Sequence, residues 1–289
     1  MPVSFPHTFR RRASERCMFT LLRLAAVVNM AALLAVVAFL VWNGAGALGW
    51  EFFTEPPRNA MTEGGIWPCI VGTVLLALGA LLVSFPLGVA SAVYLHEYAR
   101  SSRFARYIRL GVNNLAGVPS IVFGLFGMSF FVIACGFGIS LLSGVLTLAV
   151  LTLPVVISTT EEALRQVPMT FREASFALGA TQSQTIVRVV LPAALPGMLT
   201  GAILGLARAA GETAVIMFTA AVFFSKAGVD SIFRPVMALP NHIYVLATSG
   251  ADIEKTLPLQ YGTALVLVAL VLGMNLAAII ARDRLQRRR

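Results

Sequence analysis

The chain has 289 residues, of which 58% are hydrophobic and only 12% charged, and it carries a formal net charge of +9. That apolar share lies far above the ordinary range of soluble domains and argues against a soluble enzyme. The basic excess would suit nucleic acid, but the basic residues gather at the ends of apolar runs, where they read as membrane-flanking charges with lipid, not nucleic acid, as the neighbour.

In chain order, residues 1–23 form a basic tail that contains Arg10, Arg11 and Arg12. An apolar run over residues 24–42 follows, with Ala45-Gly-Ala47 beyond it. A removed signal peptide is one reading of this start. The run is longer than a usual signal core and more spans follow, which favours an uncleaved first transmembrane helix. Five further spans are expected near Ile70–Tyr94, Val118–Cys135, Ile139–Ser158, Gly197–Phe224 and Pro258–Ala281. Residues 110–160 hold no charge at all. That is far more chain than one crossing of a ~30 Å hydrocarbon core requires. Cys135-Gly-Phe-Gly138 predicts a tight turn between the third and fourth spans. Pro86, Pro119 and Pro154 can kink helices, which suits a mobile bundle and a static one equally. A second basic tail covers residues 282–289. The fold expected is all-α and transmembrane, with six helices.

With the N-terminus inside, 17 of the 22 Lys and Arg residues fall on inside segments and four on outside ones. The remaining one, Arg208, lies within a span. This bias predicts both termini on the cytoplasmic side of a multi-pass membrane protein. Cys17, Cys69 and Cys135 are scattered and read as small apolar fillers. His7, His96 and His242 all fall outside the expected spans and read as solvated or interfacial. The outer loop over residues 225–257 is apolar enough around Pro235–Tyr244 for a short re-entrant or interfacial segment.

The inside loop over residues 161–196 has its own layout. Thr170 and Glu173 have capping-box spacing, Gly179 suits a helix C-cap, and Thr181 and Gln184 offer a second capping box. The second helix is expected to end near Pro192. The product is a helix–glycine–helix elbow, which on local physics alone reads equally as an amphipathic connector or as a docking element.

Within the fifth span Arg208 and Glu212 are four residues apart, and on a continuous helix they share a face near the bilayer midplane. A lone Arg at that depth costs about 2.5–3.5 kcal/mol on insertion scales. One reading is a self-neutralising structural pair. The other is an anion pathway in which Arg208 supplies forked donors, Glu212 holds it, and Thr213 and Thr219 line the way. Thr hydroxyls more often bond back to their own helix. The chain has no Gly-Lys dipeptide and hence no P-loop, and no His–carboxylate cluster within the spans. An energised transporter built on it would need ATP and Mg at another subunit, with no cofactor of its own.

Glu173-Ala174-Ser175, Gly179, Val189 and Leu191-Pro192 resemble the loop signature of ABC importer permeases, with Ser175 replacing Ala and Val189 replacing Ile. The resemblance implies a type I permease core over residues 66–281 whose elbow is a coupling helix. It implies ATPase docking at Glu173, Ala174 and Gly179, with Leu191 and Pro192 in the same signature. The runs 159–168, 189–197 and 207–213, together with Gly64-Gly65 and Leu95-His-Glu-Tyr98, resemble the phosphate-importing members of that family. Val215 departs from the proline that many relatives place near it. The partners implied are an ABC ATPase subunit, a second permease and a periplasmic phosphate-binding protein, in a bacterial inner membrane. Permeation of another oxyanion, or ATP-independent secondary transport, is the alternative function.

Overall fold

A computed structural model describes residues 7–99, 102–224, 229–249 and 253–287. The outermost parts of both basic tails (residues 1–6 and 288–289), Arg100 and Lys226 lie outside the described residues. Five helices are long and apolar enough to cross a membrane, and a sixth candidate is a pair bent by 105°.

Helix α1 runs unbroken over His7–Gly44, beginning well before the expected span. It packs on the last helix, where Phe39 meets Tyr261 edge to face. A short helix α2 (Trp50–Thr54) and a two-residue hairpin, β1 (Pro57–Arg58) against β2 (Glu63–Gly64), follow. Helix α3 covers Trp67–Val93 and continues as a π-helical turn, Tyr94–Tyr98. Ser102 caps the amphipathic α4 (Arg103–Ala116) through the amide of Phe104. Beyond Pro119, α5 (Ser120–Gly127) extends as a π-helical run to Ala134. The expected third span is therefore the second limb of a bent pair. Pro119 at the start of α5 disfavours helix in the residue before it, which places the bend. Helix α6 (Leu141–Gln166) is capped by Ser140 and reaches eight residues past the expected end.

The elbow is α7 (Met169–Ala177) and α8 (Gln182–Thr185). Contrary to expectation, α8 does not stop near Pro192. It passes through a π-helical run, Ile186–Val190, into α9 (Leu191–Gly211), making one 30-residue rod from Gln182. The π run just before Pro192 gives a wider turn where the missing amide and the pyrrolidine ring would strain an α-helix. The expected fifth span is also interrupted: α9 ends at Gly211, Glu212 is extended, and α10 is only Ala214–Thr219. Residues 220–224 are not helical, and Ala221 instead bridges Val236. Helix α11 (Leu239–Ser249) fills part of the outer loop, and α12 (Ile253–Arg287) closes the chain.

Helices α3, α6 and α9 form the central trio, and Leu76, Leu148, Leu151 and Leu206 are buried where they meet. A second core under the elbow joins Leu95, Ala105, Leu164, Val190 and Met198. A third at the opposite end joins Phe52, Ile66, Cys69 and Leu239. Helices α5 and α10 lie side by side, and a Cβ at Gly124 would come within 2.9 Å of the Ala214 carbonyl oxygen and the Phe218 ring.

The histidine expectation fails at two positions. His96 is mostly buried. His242 in α11 is 5% exposed, and its Nδ1 has no partner among the described residues. Burial pulls the His242 pKa down from 6.5 to about 4. The unfolded chain therefore takes up this proton at a higher pH than the folded one, so stability is full above 6.5 and declines as pH falls towards 4. Thermal unfolding in detergent should show this decline, and His242→Leu should flatten it. Gly124→Val should cost about 1–3 kcal/mol by overpacking the α5–α10 seam, seen as a lower unfolding midpoint.

Candidate functional site

The elbow is built from local rules that the sequence displays. Gly179 has φ +80°, its amide donates to Phe176 O at 2.9 Å, and the Ala180 amide donates to Ser175 O at 3.2 Å. This is a Schellman closure, which a glycine adopts without steric cost. Thr181 and Gln184 then form the expected capping box: the Gln184 amide donates to Thr181 Oγ1, and the Thr181 amide donates to Gln184 Oε1 at 2.9 Å. The other expected box is not formed. Helix α7 starts after Pro168, so Thr170 is already inside the first turn. Ser175, the residue that departs from the family signature, shares a 2.9 Å hydroxyl contact with the buried Thr185 and ties the two arms together.

Glu173, Ala174 and Gly179 are all exposed on the elbow. Around them stand Met169, Phe171, Phe176 and Leu178, also exposed, Leu178 by 90%. Leu191 and Pro192 lie elsewhere. They sit in the rod behind the elbow, with Leu191 packed on the second core.

The elbow is fixed to the helices above it by contacts that sequence reasoning missed. Arg172 is only 8% exposed although its neighbours face solvent. Its guanidinium donates to Val167 O at 2.8 Å, Leu164 O at 3.2 Å and Glu97 Oε1 at 2.8 Å. Glu97 Oε1 is also 2.9 Å from His96 Nδ1. Gln182 Nε2 donates to Glu97 O, and Tyr98 Oη lies 3.3 Å from Ser183 Oγ. Arg109 on α4 bonds Glu161 Oε1 at 3.0 Å and Leu95 O at 2.6 Å. The only sequence signal was the run Leu95–Tyr98, and nothing in it named its partners.

The second element of interest is the interruption of α9. Arg282, at the start of the basic end of α12, donates to Thr200 Oγ1 at 3.2 Å. Arg208 lies eight residues further along the helix, about 12 Å deeper, near the middle of a ~30 Å core. It occupies the last turn of α9, where the helix dipole favours a cation. Glu212 is the C-cap with extended backbone, so the two do not share a helical face as expected. Among the described residues they form no ion pair, and both are partly exposed. Thr213 precedes α10 and is partly exposed, its hydroxyl making no cap bond. Thr219 is buried and bonds back to Val215 O at 2.8 Å. Gly124 against Ala214 puts the bend before α5 close to the level of this break.

An exposed elbow fixed to long membrane helices, one of which breaks at mid-depth beside an Arg, is the build of a membrane permease subunit. Residues 84–289 match the model of the binding-protein-dependent transport system inner membrane component family, and the chain belongs to that family. It is 34% identical to the probable ABC transporter permease protein YqgI of Bacillus subtilis, over 93% of this chain and 95% of the relative. It is 37% identical to the phosphate transport system permease protein PstA 1 of Mycobacterium tuberculosis, over 100% and 95%. The fold is that of type I ABC importer permeases. A chain of a bacterial alginate ABC transporter, crystallised with an alginate-bound periplasmic protein, superposes with a TM-score of 0.62 at 13% identity over 97% of both chains.

Gly179→Val forces a β-branched residue into left-handed backbone, at a cost of about 1–2 kcal/mol. Hydrogen exchange should accelerate over residues 169–185 while the α3–α6–α9 core stays protected.

Proposed function

We propose that this chain is a permease subunit of an ATP-driven inorganic phosphate importer, working by alternating access with both termini cytoplasmic. The observation that carries the reading is the elbow: an exposed apolar face around Glu173, Ala174 and Gly179, rigidly seated on the transmembrane trio. Such a face calls for a partner, and a P-loop is lacking in the sequence itself. The partner proposed is an ABC ATPase subunit that binds ATP and Mg. A second permease and a periplasmic phosphate-binding protein complete the assembly in a bacterial inner membrane. Leu191 and Pro192 anchor the elbow from behind.

Phosphate as cargo is supported by several relatives that are phosphate transport system permeases, among them those of Mycobacterium tuberculosis and Xylella fastidiosa. Chemistry supports it too. Arg208 is partly exposed, has no carboxylate bound to it among the described residues, and can offer forked donors to an oxyanion. Glu212 then acts as a nearby repulsive charge that keeps anion binding weak enough for release. Thr213 supplies a hydroxyl at the break.

In vesicles holding the assembled complex, Arg208→Gln should lower labelled phosphate uptake by about tenfold or more while assembly is kept. Unchanged uptake would remove Arg208 from the pathway. Excess sulfate should compete poorly; strong competition by sulfate would point to a broader oxyanion carrier.

A further inference from the structure

We infer that Arg172 and Glu97 are positioning residues, a buried strut that transmits motion between the ATPase-docking elbow and the α3–α6 pair. The inference rests on the proposed coupling role of the elbow.

The two arms of the elbow both end on the same π-helical turn of α3. Arm α7 reaches Glu97 through Arg172, and arm α8 reaches Glu97 O through Gln182 and Tyr98 through Ser183. These contacts join residues 75 to 85 positions apart, so chain connectivity does not impose them. Arg172 meanwhile binds the carbonyls of Leu164 and Val167, which close the end of α6. One guanidinium therefore fixes three elements at once: α3, α6 and α7. The π turn is what makes α3 available. Its carbonyls at Leu95 and Glu97 accept side-chain donors from Arg109 and Gln182, and π turns tend to mark functional positions.

Stability alone does not account for the choice of residues. A buried ion pair recovers little net free energy after desolvation, and apolar side chains of similar volume hold helices together as well or better. A planar fork with three acceptors gives fixed geometry that apolar contact does not. The exposed neighbours Phe171 and Glu173 stay free for the partner while Arg172 points inward. Push and pull delivered to the elbow thus reach α3 and α6 without slack.

The test uses the full complex in vesicles, with Arg172→Lys and Glu97→Gln compared with the unaltered chain. Lysine keeps the charge and three donors but, as a compact ammonium, lacks the planar fork that reaches three separated acceptors. Glutamine keeps an acceptor oxygen but loses the charge. The expected result is nucleotide hydrolysis close to normal with phosphate moved per ATP reduced about tenfold for Arg172→Lys, and less for Glu97→Gln. A loss of hydrolysis and transport in equal proportion would mark a merely structural role and overturn the strut. A second reading needs no phosphate. In a chain with Cys17 and Cys135 replaced by Ser, spin labels at Leu178 and Leu82 report the distance from elbow to α3. The unaltered strut should hold one narrow distance with and without ATP, and Arg172→Lys should broaden it. A distance equally narrow in the variant would overturn the inference, whereas absence of phosphate transport in the unaltered complex would remove the cargo assignment and leave the distance test standing.

Discussion

The buried guanidinium of Arg172 is the contact on which the elbow end of this molecule depends. It binds the last carbonyls of α6, the carboxylate of Glu97 on α3, and through its own backbone the first arm of the elbow. Ser175 also ties α7 to α8, but Arg172 is what joins α7 to both α3 and α6. The core formed by Leu95, Leu164 and Val190 lies directly beneath the elbow. Arg109 repeats the device one helix away by clamping α4 to Glu161 and to the Leu95 carbonyl.

From that end, a single rod carries the chain inward. The stretch Gln182–Gly211 accepts Pro192 because a π run precedes it, and carries Pro196 one turn further on. The rod stops at Gly211 in the middle of the expected hydrocarbon region. Broken backbone at that depth is tolerated only where protein or a wet cavity satisfies its polar groups. Here α5 covers α10 at Gly124, while Arg208, Glu212 and Thr213 stay partly exposed beside the break. The charged residues thus stand where a long helix ends and a short, well-packed one begins.

Much of this was legible in the sequence because it follows from local chemistry. Apolar length marked the spans, Gly179 marked the elbow's turn, and Thr181 with Gln184 marked the second arm's cap. The errors come from neighbouring residues or tertiary contacts overriding one local signal. Thr170 and Glu173 have capping spacing, but Pro168 starts the helix first. Pro192 reads as a stop, yet the π turn absorbs it. Arg208 and Glu212 read as one helical face from their four-residue spacing, and the chain breaks regardless at Gly211. The Arg172–Glu97 contact spans 75 positions and leaves no periodicity to read. His242 looked solvated because it lay in a loop, although that loop folds into α11 and buries it.

The most direct measurement is uptake of labelled phosphate into vesicles that contain the assembled complex and the proposed external binding protein, with ATP on the elbow side or with only an ion gradient imposed. Accumulation that requires ATP on the elbow side and ignores the gradient is the predicted result. Accumulation that follows the gradient and proceeds without ATP would contradict an ATP-driven importer and point to a secondary transporter.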